Sequence, residues 1–600
     1  MKPGVYGVSI SLCFVFFSKR YNTYQSLTAR WPMDTGRLSP RRHFNYLLDF
    51  DYDSTRDEAL LLLEHLFLNS DGFALMLDSS APLFLRRDPN FGDPLLCISV
   101  NNSYPYSSSP KETAAYRGDL KFRLFAGKSA KAVYGIVANQ LGLIPKPVGV
   151  PTSERFFRSP IWTTWNVFSD GGGSNDQKNA FTQENVLKYA EDLVNRYGFP
   201  NDSTLELHRR WERTYGDLAF DGARFPDPRG MIRKLHSAGH QVTLWSYPNI
   251  HTDSPEYPKA VEFFVKEMNS TFSSSSSSSA KFRSSTSKPS PLVINYSDGA
   301  GSYVDFSNQA AAEWFVDRLK RFAEFTGVDG FHLNEAVLYD YRGPLGVADP
   351  EVARAPSLLT KCYANIAYQL GGGNGGGDHR DHHNDHEGLV VVTDSAFKNQ
   401  YLPNFVALNA KAGDWSYANG LRSLIPAVLS LSLAGYSFIV PSIIGGGYSG
   451  VLEPPPEELY IRWAQATALM TAMKFGLPPW TYSNPRVVQI TRELVDLHRR
   501  HSDLLVELAW RRVREGAPII RPLWWAAPDD PAAYKVDDQF MVGDDLLVAP
   551  VLVQGATRRR VRLPPGSWAD QQGRGPFQGP GDLEVEAPLE VLPYFRRIKH

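Results

Sequence analysis

The chain has 600 residues, of which 42% are hydrophobic and 12% aromatic, so it is long enough for several globular domains. Its 63 basic and 64 acidic side chains leave a net charge of −1, which excludes a global field that attracts nucleic acid or an anionic membrane. Its 3 cysteines contain no CxxC pair, which excludes a disulfide framework and a cysteine zinc site.

The apolar segment at residues 5–17 has two interpretations. It is too short to span a bilayer, so we predict no firm transmembrane segment there. Its length suits the core of a signal peptide, although no small-residue cleavage site follows closely. Its β-branched and aromatic content suits a first strand equally well.

Three regions follow from the pattern of apolar runs. Residues 1–150 carry short runs broken by Asp, Asn, Ser and Pro, which predicts an antiparallel β-domain. In residues 151–505, strand-like runs alternate with amphipathic helical ones, which favours an α/β fold with a (β/α)8 TIM barrel. "STLELH", "QVTLWSYP" and "VDGFHLN" predict strands, whereas "DPRGMIRKLHSAGH" and "NQAAAEWFVDRLKRFAEFTG" predict helices, the second ending at Gly327. Residues 506–600 return to short strands and predict a C-terminal β-sandwich domain.

Two low-complexity segments predict disordered insertions in the barrel, near residues 270–290 and 370–388. The second segment holds four histidines that could bind a metal, but its glycine-rich flank offers no rigid support: His379, His382, His383 and His386. We therefore favour a solvated loop and predict no metal and no cofactor. Four N-x-S/T sequons are compatible with the lumen of the secretory pathway or an extracellular location: Asn101, Asn201, Asn269 and Asn295.

Several phrases occur in an order typical of one enzyme family: "RSPIWTTW", "FPDPRGMIRKLHSAGHQVTLWSYP", "NGLRSLIPAVLSLSLAGYSFIVPSIIGGG", "ELYIRWAQATALMTAMKFGLPPW", "RPLWW" and "QFMVGDDLLVAPVL". Over about residues 155–555 the chain resembles glycoside hydrolase family 31. The resemblance implies an N-terminal β-sandwich, a barrel and C-terminal β-domains. It also implies hydrolysis of O-glycosyl (α-glycosidic) bonds in a carbohydrate or glycoconjugate. In retaining hydrolysis one carboxylate attacks the sugar and a second, about 5–5.5 Å away, serves as acid and base.

The nucleophile of the family lies in a phrase like "GxDxFKxDAGE", and "GVDGFHLNEAV" matches it with Asn334 in place of the aspartate. An amide oxygen is a far poorer nucleophile than a carboxylate. Glu335 is the adjacent carboxylate and the alternative candidate. The candidate acid/base is Asp414, although ungapped counting from Trp415 places Ala412 at the expected aspartate.

Positions that hold the sugar also differ from the family. A strand end that supplies two aspartates in the family has His208 and Arg209 here, and Ser442 replaces a third aspartate. We predict that Trp162, Trp245 and Trp415 border the barrel mouth, since indole rings suit sugar C–H faces. Core packing is the alternative for these residues.

Two functions from different classes remain. The first is an active α-glycosidase that uses Glu335 and Asp414 in altered geometry. The second is a catalytically silent pseudoglycosidase that binds a glycan or a protein partner. The near-neutral charge and the lack of a basic-aromatic module argue against nucleic acid as a partner.

Overall fold

A computed structural model describes residues 9–14, 64, 66–68, 70–77, 83–88, 95–101, 121–143, 153–168, 181–267, 289–296, 299–334, 345–354, 357–372, 388–408, 410–417, 419–447 and 454–599. Both predicted insertions fall almost wholly outside these residues.

The N-terminal region is antiparallel β-structure with one helix, as predicted. Its elements are β1 (Ser9–Phe14), β2 (Leu66–Leu68), β3 (Phe73–Leu77), β4 (Leu83–Asp88), β5 (Leu95–Asn101), β6 (Phe122–Ala126) and α1 (Ala130–Gln140). Two three-stranded sheets have the orders β1-β5-β4 and β2-β3-β6. Residues 9–14 of the first apolar segment therefore form a strand, which was one of its two interpretations.

The middle region alternates strands and helices. Its strands are β7 (Ile161–Thr163), β8 (Thr204–Leu207), β9 (Gln241–Ser246), β10 (Asn249–His251), β11 (Lys266–Glu267), β12 (Val293–Tyr296), β13 (Gly299–Tyr303), β14 (Gly330–Leu333), β15 (Leu345–Gly346), β16 (Val390–Thr393), β17 (Phe405–Ala407), β18 (Ile439–Val440) and β19 (Lys474–Phe475). Its helices are α2 (Arg155–Arg158), α3 (Gln183–Glu191), α4 (Pro228–Ser237), α5 (Tyr257–Ala260), α6 (Gln309–Thr326), α7 (Pro350–Arg354), α8 (Ser357–Leu370), α9 (Leu424–Ala434), α10 (Glu457–Thr467), α11 (Pro485–Arg500) and α12 (Ser502–Glu515).

Eight parallel strands form the barrel, in the order β18-β17-β16-β14-β9-β8-β7-β19. The two outermost strands approach each other, because Ile444, just after β18, bridges Phe475 on β19. The barrel is thus nearly closed, and its carboxyl-terminal strand ends converge on one mouth. This confirms the predicted TIM barrel.

The longest helix shows why the local predictions succeed. Asn308 caps the start of α6 by accepting the backbone N–H of Ala310 at 3.0 Å. Gly327 ends α6 at a φ of 85°, a left-handed conformation that favours glycine. The chain then turns directly into β14, which delivers Asn334 to the barrel mouth.

The C-terminal β-domain is also confirmed. It contains β20 (Ile520–Arg521), β21 (Phe540–Val542), β22 (Leu546–Val548), β23 (Arg558–Asp570), β24 (Phe577–Glu586) and β25 (Tyr594–Arg597). All six belong to one antiparallel sheet, because the long strand β23 pairs with both β24 and β25.

One arginine of the barrel holds the C-terminal domain. Arg462 on α10 is buried, and its guanidinium donates to four backbone carbonyls of that domain at 2.8–3.5 Å: those of Ala556, Ala587, Pro588 and Val591. Burial lowers the pKa of Arg462 to about 10, so it stays charged at neutral pH.

We expect Arg462→Met to lower the free energy of unfolding by about 3 kcal/mol, since it leaves buried carbonyls without a charged donor. Urea denaturation measures this change, and limited proteolysis should show earlier cleavage in the C-terminal domain. Arg558→Met, which removes an exposed ion pair with Glu586, is the control and should change stability by less than about 0.5 kcal/mol. Equal effects of the two substitutions would contradict the anchoring role.

Candidate functional site

The strand register determines which side chains point into the barrel. Glu206 on β8 pairs with Thr163 on β7 and with Thr243 on β9, and alternate residues along each strand share a face. Glu206 contacts Lys474 of β19 on the far side of β7, so this face is the interior. The inward set toward the mouth is Thr163, Glu206, His208, Thr243, Trp245, His332, Asn334, Val392, Asp394, Ser442 and Lys474.

A buried charged cluster occupies the barrel interior. Lys474 Nζ lies 2.9 Å from each carboxylate oxygen of Glu206, and His332 Nδ1 lies 2.8 Å from Glu206 Oε2. The exposed fractions are 2% for Glu206, 5% for Lys474 and 6% for His332, so the charges are almost fully desolvated. Such a pair is tolerated only when each charge keeps its partner.

The cluster sets the protonation of two side chains. Burial alone raises the pKa of the Glu206 carboxyl, but Lys474 and His332 outweigh burial and hold it well below its ordinary value. Burial lowers the pKa of the His208 ring well below its ordinary value. The charge of Glu206 opposes this shift, whereas those of Arg209 and Lys474 add to it. Near neutral pH, Glu206 is therefore a carboxylate and His208 a neutral imidazole.

We expect Lys474→Met to cost about 3–5 kcal/mol of unfolding free energy, because it leaves Glu206 buried without its main counter-charge. Adding Glu206→Gln should recover most of that loss, since the double variant buries no unpaired charge. Urea denaturation at pH 7 measures both. The contribution of the pair should persist above pH 4.5 and disappear as pH falls, because the Glu206 pKa is depressed in the folded state. A single variant as stable as wild type would refute this role.

Asn334 lies at the end of β14, next to the end of β16. Its side-chain amide donates to Asp394 Oδ2, and its backbone N–H donates to Ser246 O at 2.9 Å. Asp394 is buried, and its other oxygen accepts the Ser395 hydroxyl at 3.3 Å. The end of β14 thus presents an amide that a neighbouring carboxylate orients.

Aromatic rings form a row along the mouth. The His208 ring stacks on Trp165 with centroids 4.5 Å apart, and Trp245 lies 5.3 Å from His208 on another side. Tyr247 stacks on Trp245 at 5.2 Å, and Tyr215 packs against both of these rings at 6.1 and 6.4 Å. Trp165, Tyr215 and Tyr247 are partly exposed and can offer a ring face to a ligand.

Several buried polar atoms near the mouth have no hydrogen-bond partner among the residues that the structure describes: Asn166 Oδ1 and Nδ2, Trp245 Nε1, Asn249 Oδ1 and Nδ2, and His332 Nε2. Buried polar groups are nearly always paired in proteins. The carboxyl end of the barrel therefore offers donors and acceptors to water or to a polar ligand.

Two domain models of one protein family match this chain. The family 31 TIM-barrel domain of the glycosyl hydrolases matches residues 173–506, and the C-terminal domain of the same family matches residues 516–599. The mouse myogenesis-regulating glycosidase is 31% identical over 92% of this chain and 70% of its own length. The SITS-binding protein of Tetronarce californica is 31% identical over 51% of this chain and 42% of its own.

The chain belongs to glycoside hydrolase family 31. Solved family 31 structures share the fold: a Flavobacterium johnsoniae dextranase complexed with glucose has a TM-score of 0.70 at 18% identity, covering 92% of this chain and 63% of that one. A sulfoquinovosidase from E. rectale, in complex with an aza-sugar inhibitor, has a TM-score of 0.67 at 19% identity, covering 89% of this chain and 72% of that one.

The two candidate catalytic positions have different hydrogen-bond partners. Asp414 is exposed, and its Oδ1 accepts the backbone N–H of Ser416 at 2.8 Å within its own loop. Among the described residues, no hydrogen bond or ion pair connects Asp414 to Asn334 or to Glu206. Glu335 lies outside the described residues. Asn334 carries an amide, so of these two described positions only Asp414 offers a carboxylate.

The predicted sugar-holding residues differ in their surroundings. His208 and Trp245 point into the mouth, and Arg209, half-buried, follows His208. Ser442 is fully buried and accepts the backbone N–H of Lys411 at 3.0 Å. Trp415 is partly buried, and its indole N–H has no hydrogen-bond partner within the described part of the chain.

Trp162 is placed differently. It is 0% exposed and pairs in register with outward-facing residues, and its ring stacks on Phe475 at 4.4 Å and packs on Phe199 at 5.0 Å. These contacts support core packing. Substrate binding by Trp162 stays a prediction that they do not favour.

Sequence reasoning missed four residues that shape this family 31 site: Trp165, Glu206, Asp394 and Lys474. Asp394 directly follows β16 in "VVVTD", and Trp165 lies two residues after the end of β7 in "IWTTW"; these positions were the available signal. No local signal pairs Glu206 with Lys474.

Within the described ranges no cluster of three His, Cys, Asp or Glu residues could hold a metal, and no helix is long and apolar enough to cross a membrane. The four histidines of the second insertion lie outside those ranges.

Besides Glu206, the loop that carries Tyr215 contains a buried carboxyl with a shifted pKa, that of Glu212. Glu212 is buried and accepts the backbone N–H of Leu218 at 2.8 Å and that of Gly216 at 3.4 Å. Burial raises its pKa to about 7, although these hydrogen bonds oppose the shift. The folded protein therefore holds a proton on Glu212 that the unfolded chain has lost above about pH 4.5.

We expect Glu212 to reduce stability as pH rises from about 4.5 through 7, by on the order of 3 kcal/mol. Glu212→Gln should remove this part of the pH dependence and raise the stability at pH 8 relative to wild type. Urea denaturation at pH 5 and pH 8 measures it, with the exposed Glu324→Gln as control. An unchanged pH slope in Glu212→Gln would show that Glu212 does not titrate in this range.

Proposed function

We propose that this family 31 protein binds a carbohydrate or glycoconjugate at its barrel mouth and does not hydrolyse it through Asn334 and Asp414. The contact between the Asn334 amide and Asp394 carries this proposal. It gives the end of β14 a neutral donor where the family resemblance requires an attacking carboxylate.

Two observations support binding. The mouth carries partly exposed aromatic rings, which suit the apolar faces of sugars, and unpartnered polar atoms, which suit hydroxyl groups. One fold relative, the dextranase, is complexed with glucose. The matched segments cover 70% of one curated relative and 42% of another, so the activities of those whole proteins are expectations for this chain.

The sequons bear on the location of the protein, for which we propose the secretory lumen or the outside of the cell. The sequon residues Asn201 and Asn295 are exposed, one in a turn and one on β12, which suits glycosylation in the secretory lumen or outside the cell. A mobility shift of the secreted protein after enzymatic deglycosylation would support that location, and its absence would count against it. A protein partner is a second expectation, because the ligand sugar can be part of a glycoprotein.

Binding and turnover separate the two functional classes. We expect the purified protein to bind methyl α-glucoside or methyl α-galactoside, detected by saturation-transfer NMR, and to leave the matching nitrophenyl α-glycosides intact. Robust hydrolysis that Glu335→Gln abolishes would instead establish an active glycosidase with a relocated nucleophile.

Exchanging the side chains of Asn334 and Asp394 tests whether their amide–carboxylate contact keeps the site inactive. Asn334→Asp alone brings two carboxylates into contact, so we expect a loss of about 2 kcal/mol in stability and no hydrolysis. Adding Asp394→Asn restores an amide–carboxylate contact with reversed roles and should recover the stability. Thermal denaturation and hydrolysis of nitrophenyl α-glucoside measure the two effects. Full activity from Asn334→Asp alone would show that the remaining pocket is intact.

A further inference from the structure

Two buried histidines lie where the last two helices before the C-terminal domain meet. His498 is in the final turn of α11, and His501 connects α11 to α12. His498 is 0% exposed and His501 is 7% exposed. Neither belongs to the inward-facing set at the barrel mouth, so the proposed sugar binding does not use them.

The contacts of His501 determine its protonation state. Arg596 on β25 donates from Nη2 to His501 Nε2 at 2.8 Å. A guanidinium has no acceptor, so Nε2 must be the acceptor and carries no proton. His501 Nδ1 then holds the ring proton and donates to the backbone carbonyl of Leu497 at 2.9 Å. The contact between β25 and the two helices therefore requires a neutral His501.

Protonation of His501 would break this contact. A proton on Nε2 removes the lone pair that Arg596 uses, and it places an imidazolium beside a guanidinium, which is repulsive. Burial lowers the pKa of His501 below its ordinary value. The hydrogen bond to Leu497 opposes this shift, whereas the charges of Arg596 and Arg500 add to it. Acid therefore acts against the C-terminal contact through one ring.

His498 adds a second buried ring of the same kind. Its Nδ1 donates to the carbonyl of Ala468 at 3.0 Å, at the end of the helix α10 that carries Arg462. Burial lowers the pKa of His498 to about 4, although this hydrogen bond opposes the shift. The two rings repel each other when both are charged. The histidines thus adjoin both attachments of the C-terminal domain, Arg596 and the helix of Arg462.

The charges around the two rings do not compensate a proton on them. In the part of the chain that the structure describes, neither ring forms an ion pair with a carboxylate. Asp503 is exposed and pairs with Arg158 at 2.7 Å. The titratable and charged groups on the elements that pack here are Glu154, Arg155 and Arg158 at α2, Arg462 on α10, Arg499 and Arg500 on α11, Asp503 on α12, and Tyr594 and Arg596 on β25.

We propose that His498 and His501 form an acid-sensitive joint, which holds β25 against α11 and α12 while both rings are neutral and loosens it when they are protonated in an acidic compartment. Histidines that are released into water bind protons below about pH 6.5, whereas the docked rings resist protonation. The docked state therefore loses stability as pH falls below about 6.5. This joint works independently of sugar binding at the mouth.

Hydrogen exchange of the full chain tests the joint, measured by mass spectrometry at pH 7.5 and pH 5.0 and corrected for the intrinsic exchange rates. We expect the protection of the Tyr594–Arg597 amides to fall by at least about 10-fold at pH 5.0, since one pKa unit is a factor of ten. The amides of the barrel strand β14 should lose less. The readout is local because Glu212 gives global stability the opposite pH dependence.

Glutamine at the two positions keeps the hydrogen bonds without the titration. The double variant His498→Gln/His501→Gln should reduce the fall in β25 protection to less than about 3-fold, or half a pKa unit. Arg596→Met removes the donor and should give low protection of β25 at both pH values. His240→Gln is the matched control and should behave as wild type in β25. His240 is also buried with a lowered pKa, but it lies just before β9 and contacts Ser203 at 3.1 Å.

The possible outcomes decide the proposal. Equal protection of β25 at the two pH values in wild type overturns it. An unchanged fall in the double variant, or an equal fall in β14 and β25, overturns it as well, since the loosening would then arise elsewhere. If the double variant does not fold, His501→Gln alone decides, because its glutamine oxygen can accept from Arg596 at both pH values and should retain protection at pH 5.0.

Discussion

The ion pair between Glu206 and Lys474 is the constraint on which the barrel interior depends. The two residues lie on β8 and β19, on either side of β7, and His332 extends the contact to β14. The cluster thus connects strands across a continuous arc of five: β14, β9, β8, β7 and β19. Burying these charges is costly, and the barrel retains them only because each has its partner within 3 Å. The polarity and the geometry of the mouth above them follow from this arrangement.

Charge balance explains how the mouth can differ from its family without loss of fold. The amide of Asn334 meets Asp394, the ring of His208 is neutral, and Ser442 accepts a backbone N–H. None of these contacts requires a cluster of mutually repelling carboxylates, whose crowding costs stability in working active sites. Hydrolysis requires such crowding, whereas recognition of a sugar requires only aromatic faces and matched donors and acceptors.

The sequence predicted the elements well but the site only in part. Periodicity and end signals located β8, β9 and β14, and the helix that ends at Gly327, because these features depend on residues close in the chain. The contact of Asn334 with Asp394 spans 60 positions and that of Glu206 with Lys474 spans 268, and only the closed barrel brings them together.

The direction of a side chain was a second limit. Trp162 and Thr163 are neighbours, yet one faces the outer helices and the other the interior, because a strand alternates at every residue. A one-residue difference in the position of a short strand therefore decides whether an indole meets ligand or core. Asp414 shows another limit, since its oxygen caps a local turn and the sequence alone did not reveal that competing partner.

Arg462 makes the C-terminal sheet an integral part of the barrel. Its guanidinium is built into helix α10, but four of its acceptors are supplied by chain that follows residue 555. A product that stops at the end of the barrel would lose four of the acceptors of Arg462 and keep Gln465 Oε1, 3.0 Å away on the same helix. Such a fragment would be a target for cellular quality control. The match to the family's barrel domain ends at residue 506, and the match to its C-terminal domain begins at residue 516. The two domains are separate units in the family comparison, but the contacts of Arg462 make them depend on each other in the folded chain.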